Sequence, residues 1–246
     1  LNTLAERDAS LKPSVLSSLL TLINDEQQDI RQMAFDNLKT LGMDLALLGQ
    51  TATTSPQSDI ARQGLQLLVE YYPLKQSHSL LQSLLKSNHA ILAPEAWKLY
   101  SEDIGFAQAV PEGLQSQWLP LREQIVGQLA EQYAKAEMPA LLVTAAANDY
   151  LPVAIKAAQS LAQQQHPQAL AALTALFERN ISDAEKRSVL NIMRSLAGDA
   201  AAAWLLDYLH RKTLPEELLA PVYQTIMSQR PSRLFPALLQ RLEQQP

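Results

Sequence analysis

Apolar residues recur at steps of three and four along almost the whole chain, and Pro, Gly, Asn or Asp interrupts the recurrence every 12 to 18 residues. That step is the signature of one buried helix face and the interruptions are helix stops, so the pattern predicts a succession of short helices joined by tight turns. The first spans 12–23, with Ser10 as its N-cap and Pro13 in the first turn, where the missing N–H costs no hydrogen bond. The second, 28–41, places Ile30, Met33, Ala34, Asn37, Leu38 and Leu41 on one face and stops at Gly42, a residue suited to the left-handed position after a helix. Further helices are predicted over 44–51, 56–72 with Ser55 as cap, 74–87, 94–101, 139–147, 152–165, 167–179, 183–197, 200–211, 215–229 and 232–244. The stretch 111–135 contains Pro120 and reads as a kinked helix or as two helices meeting there. Proline opens many of these segments, which reconciles 14 prolines with an all-α chain.

A string of short helices can close into a bundle or stack into a repeat array, and a fixed sequence period selects the array. Asp29, Ile30, Ala34, Leu38 and Leu41 align with Asp59, Ile60, Gly64, Leu68 and Tyr71 at a constant offset of 30. A third copy keeps the apolar, small, apolar order at steps of four in Val153, Ala157 and Leu161, and a weaker fourth in Val189, Met193 and Ala197. The small residue in mid-helix is what lets two helices approach closely.

The run Leu22-Ile23-Asn24-Asp25-Glu26-Gln27-Gln28-Asp29-Ile30-Arg31-Gln32-Met33-Ala34, followed by Leu38 and Leu41-Gly42, resembles the HEAT repeats, α-solenoid units of two antiparallel helices. The resemblance implies an all-α, right-handed α–α superhelix running as a single domain over 1–246, clearest in 12–72 and 138–212, with a divergent segment at 94–132. It also implies that a turn Asp and an Arg six residues later link adjacent repeats, a spacing met by Asp25 and Arg31. Pro56 and Ala61 stand at these places in the second copy, and Asn148 and Ala154 in the third, so the ladder is broken. Other helical-repeat geometries stay open, although the 34-residue Trp, Gly and Tyr signature of tetratricopeptide repeats is missing.

Composition narrows the chemistry. The 246 residues are 47% hydrophobic and 18% charged, enough to bury a sizeable core. Twenty Lys and Arg against 25 Asp and Glu give a net charge of −5, which weighs against a nucleic-acid partner. The absence of cysteine excludes disulfides, thiolate nucleophiles and cysteine-ligated metals and leaves the compartment open. No apolar run approaches the roughly 18 residues of a membrane helix, so no membrane span is expected. The chain opens on Leu1 without a signal-peptide pattern, which suggests a processed protein or a piece of a larger one.

No His-Glu-x-x-His, phosphate-binding glycine loop or nucleophile elbow occurs, so no catalytic residue, metal or cofactor is expected. His78, His89, His166 and His210 are far apart and lack an acidic or His neighbour at i+3 or i+4, which points to structural or surface roles. Glu216 and Glu217 suit a helix first turn, and Glu102-Asp103 is read as capping as well. Trp97, Trp118, Trp204 and Tyr71-Tyr72 read as core or inter-repeat packing. A protein partner is expected instead, on the face of the second helices opposite the apolar stripe, where Gln32, Asp36, Arg62, Gln66 and Gln159 fall. The function so implied is a non-catalytic interaction or scaffolding module. The alternatives are a helical accessory domain of a larger enzyme, for example the HEAT-like C-terminal region of a peptidase, and, more weakly, a HEAT-like nucleic-acid-binding protein.

Overall fold

The computed structural model describes residues 11–229, and every regular element among them is an α-helix. The fourteen helices are α1 (Lys12–Leu22), α2 (Gln28–Thr40), α3 (Leu45–Thr53), α4 (Ser58–Tyr71), α5 (Leu74–Leu85), α6 (Leu92–Ile104), α7 (Phe106–Gly113), α8 (Leu119–Glu131), α9 (Met138–Ala146), α10 (Leu151–Gln163), α11 (Ala169–Glu178), α12 (Asp183–Met193), α13 (Ala200–Arg211) and α14 (Glu216–Ser228). The chain divides into two compact units, one ending at Arg122 and one beginning at Glu123.

Local chemistry sets the helix ends. Pro13, Pro139 and Pro152 occupy the first turns of α1, α9 and α10, where no intrahelical N–H bond is lost. The Asp44 carboxylate caps α3 by accepting the Leu47 N–H at 2.8 Å. Ser182 and Glu185 form a reciprocal capping box at α12, and the Ser182 hydroxyl and N–H hold the Glu185 carboxyl below the ordinary glutamate value. Gly42 ends α2 at φ 73°, a conformation that costs glycine nothing.

In the first unit the hairpins are α1–α2, α3–α4 and α5–α6, with α7 following. In the second they are α9–α10, α11–α12 and α13–α14. Within each unit the main contacts join helices one or two apart in the chain, so that α2 packs on α4, α4 on α6, α10 on α12 and α12 on α14. The first unit's core includes Leu19, Ile23, Phe35, Leu38, Leu48 and Ile60. In the second, Leu142, Leu161, Leu173 and Phe177 are fully buried, and Phe177 meets the rings of Trp204 and Tyr208 edge-on.

One turn recurs before α2, α4, α6, α8 and α10. Asp25, Ser55, Ser87, Ser116 and Asn148 each accept, through a side-chain oxygen, the backbone N–H two residues on, at 2.8 to 3.3 Å. This local bond reverses the chain before the next helix starts. Each turn residue is followed nine positions later by Ala34, Gly64, Ala96, Ile125 or Ala157, and thirteen positions later by Leu38, Leu68, Tyr100, Leu129 or Leu161, all of them buried. The segment 94–132, which resists alignment by sequence, therefore contains the Ser116 turn with Ile125 and Leu129, together with Ala96 and Tyr100 of the helix that follows the Ser87 turn. An arginine six residues after the turn residue occurs at Arg31 and at Arg122, and both are buried and donate back to the turn, Arg31 to Asp25 O and Arg122 to Ser116 O.

Several expectations are corrected. Ser55 does not cap α4: its hydroxyl donates to Asn24 of the preceding turn at 2.6 Å and accepts the Gln57 N–H, and Gln57 is the residue before the helix. Met33 and Tyr71 are 65% and 50% exposed, because the buried stripe of α2 is centred on Ala34, Phe35 and Leu38 and Tyr71 ends α4. Ala197 lies beyond the end of α12 and is exposed, so Val189 and Met193 stay in the core without a third member. Pro111 sits inside α7 and does not open a helix, and the break falls at 114–118, with Pro120 the second residue of α8. The predicted cap Ser10 and helix 232–244 lie outside the described residues.

Ala34 is 2% exposed within the α1–α2 core. Ala34→Leu overpacks this crossing and is expected to cost about 1–3 kcal/mol in thermal or urea unfolding. An unchanged melting temperature would place position 34 at the surface.

Candidate functional site

The α2–α4 crossing begins with Arg31, near the start of α2. Its guanidinium donates to Asp59 Oδ2 from Nε at 3.0 Å and from Nη2 at 2.8 Å, and from Nη1 to the carbonyls of Asp25 and Glu26 at 2.9 Å each. Four charge-assisted bonds thus use a side chain that is otherwise removed from water. Burial alone would raise the Asp59 carboxyl, but the bond from Arg31, the neighbouring Ile60 N–H and the guanidinium charge together hold it below the ordinary aspartate value. The Asp25 carboxylate serves its own turn and takes no part in the ion pair with Arg31; Asp25 joins this link through its carbonyl oxygen.

One helical turn further along, the two helices open a groove of about 230 Å³. Phe35 and Leu67 lie beneath it but are buried, so the surface it offers is almost entirely polar. Its walls are polar. Gln32 and Gln63 exchange carboxamide hydrogen bonds across it at 2.6 and 3.4 Å, and Gln32 also donates to Asp36 at 3.0 Å. Gln66 and the exposed side chains of Asp36, Lys39 and Glu70 complete the lining. On the far side of α4, Glu95 of α6 accepts from Gln66 at 3.3 Å and lies 3.9 Å from Arg62.

Of the five residues placed on the partner face by sequence, Gln32, Asp36 and Gln66 meet in this groove. Arg62 is exposed on the α4–α6 side, and Gln159 is exposed on α10 in the second unit. Sequence reasoning missed Gln63, Lys39, Glu70 and Asp59. A signal existed for Gln63: it follows Gln32 by 31 residues, within the recurrence of the turns, but falls one place off the offset of 30.

The histidines, the Glu216–Glu217 pair and Trp97 take the following places. His78 on α5 pairs with Asp103 on α6 and meets the ring of Tyr100 edge-on. His89 and His166 accept backbone N–H groups through Nδ1, those of Leu92 and Gln168. His210 and Arg211 occupy the last turn of α13, and Glu216 and Glu217 the first turn of α14, where the helix dipole favours each charge. Trp97 is buried against Phe106. Among the described residues no group of three or more His, Asp or Glu converges as a metal site, and no helix is long and apolar enough to cross a membrane.

The chain matches no protein-family model, no curated protein and no solved structure.

Proposed function

We propose that this chain is a non-catalytic interaction module built from HEAT-like two-helix repeats, stacked as a right-handed α-solenoid, and that partners dock on the surface of the second helices. The supporting observation is the α2–α4 groove. Two equivalent helices of successive hairpins lie side by side, cross-linked by Arg31–Asp59 at one end and by Gln32–Gln63 further along, and leave a polar cleft. A repeat unit buries only one face of each helix pair and its neighbours bury the rest, so the polar positions left over form such a surface without any residue being spared from the core. The recurrence of one turn at 29 to 32 residue spacing supports the HEAT-like reading, since the same hairpin is being laid down repeatedly.

The test is affinity capture from the source lysate with the wild-type chain and with Asp36→Lys/Gln66→Ala, both of which keep helix-favouring surface residues. Proteins retained by the wild type and lost from the variant, at unchanged melting temperature, support the reading. Identical capture by both chains refutes the groove as the partner surface.

A further inference from the structure

We infer that the α2–α4 groove takes an extended polypeptide segment carrying a basic side chain; this deepens the interaction reading above and rests on it. Each carboxamide presents one carbonyl acceptor and an NH₂ donor side by side, the pair that the N–H and C=O of one residue present on an edge of an extended chain, and Gln32 and Gln63 already satisfy each other in that manner across the groove. Two consecutive residues of an extended chain between them turn their N–H and C=O pairs to opposite sides, exchanging one reciprocal pair for two, so opening the groove sacrifices no hydrogen bonding.

Dimensions agree. Packed helices stand about 8–10 Å apart, and an extended chain advances about 3.3 Å per residue, so a strand crossing from α2 to α4 spans the interval in roughly three residues. A cleft of about 230 Å³ is smaller than the sites that enclose a small molecule, and smaller than one turn of a helix about 10 Å across.

Charge selects the side chain. The groove holds the carboxylates of Asp36 and Glu70 against the single ammonium of Lys39, while Arg62, the nearest further cation on α4, lies beside Glu95 outside it. An arginine or lysine of the segment brings the local balance to neutral, whereas an acidic one adds to the excess. The same excess of carboxylate repels a phosphate backbone.

The experiment is selection of linear twelve-residue peptides displayed on phage against the wild-type chain. Enriched sequences are then made as fluorescein-labelled synthetic peptides and read by anisotropy. Enriched peptides are expected to carry at least one Arg or Lys, and to lose about tenfold in affinity on Gln63→Ala/Gln66→Ala, the worth of one or two neutral hydrogen bonds. They are expected to lose binding when alternate backbone nitrogens are methylated. Asp36→Lys/Glu70→Lys, which leaves the carboxamides in place, is expected to abolish the preference for basic residues. Failure to enrich any peptide, or enrichment of peptides indifferent to both double variants, overturns the inference. If that happens while groove substitutions still remove partners in capture, only the extended-chain inference falls; if capture too ignores the groove, the interaction reading falls with it.

Discussion

Gly64→Ala is expected to destabilise the protein by about 2–3 kcal/mol, against the direction that helix propensity alone dictates. In an unconstrained helix interior the change gains roughly 0.5–1 kcal/mol, because alanine loses less backbone entropy on folding. At position 64 the new methyl would stand 2.6 Å from Ala52 Cβ, 2.7 Å from Thr53 N and 2.9 Å from the Ala52 carbonyl carbon. Two of those atoms belong to the backbone of α3 and cannot rotate aside, so the helices must separate and the buried Ile60, Leu65 and Leu68 lose contact with their neighbours. Gly127 in α8 provides the internal comparison. A methyl there meets only the tip of the Lys156 side chain at 3.4 Å, so Gly127→Ala is expected to stabilise by about 0.5–1 kcal/mol. Urea unfolding of both variants, with the two changes of opposite sign, checks the close α3–α4 approach. A stabilised Gly64→Ala would show that the helices stand further apart.

Arg31→Met is expected to cost about 2–3 kcal/mol at neutral pH, with a diagnostic pH dependence. The substitution keeps the apolar stem and leaves Asp59 partly buried without its guanidinium, along with the carbonyls of Asp25 and Glu26. Removing one member of a fully buried pair costs about 3–5 kcal/mol, and the side chains here keep 10% and 24% of their exposure, which lowers the figure. The pH dependence follows from Asp59. Its carboxyl is held below the ordinary value in the folded chain, so the unfolded chain binds the proton more tightly. The pair's contribution is therefore complete above about pH 4, the unfolded aspartate value, and is lost as the pH falls through the lower folded value. Melting curves at pH 7 and pH 3 are expected to show the gap between wild type and Arg31→Met shrinking at the acid end. It does not vanish, because the two carbonyl bonds of Arg31 do not titrate. An equal gap at both pH values would mean that the pair with Asp59 contributes nothing.

The helices were legible because their cause is local: a buried stripe at steps of three and four and a stop residue are written in consecutive letters, as in α2, α10 and α13. The stripe's centre was less so. Met33 shares the spacing of Ile30 and Leu41 but lies about 100° around the helix from Ala34, and only tertiary packing decides that Phe35 turns inward instead. The recurring turn at Ser116 was hidden because the turn needs a short side-chain oxygen and not a particular residue. Asp25, Ser87, Ser116 and Asn148 perform one task with three different letters, while Tyr100 and Ile125 fill positions held elsewhere by Leu and Ala.

The groove was half legible for a related reason. Gln32, Asp36 and Gln66 follow from the face opposite the apolar stripe, a property of each helix alone. Gln63 and Asp59 become partners of Gln32 and Arg31 through the stagger between α2 and α4, at separations of 31 and 28 residues that no single period predicts.

A partner seated in the α2–α4 groove is read directly by site-specific photo-crosslinking. With a photoreactive amino acid in place of Lys39, on the groove wall, and in a second chain at the half-buried position 172 on α11, a discrete crosslinked product is expected from position 39 that Asp36→Lys suppresses, and none from position 172. Crosslinking from position 172 with none from position 39 would contradict a partner in the groove.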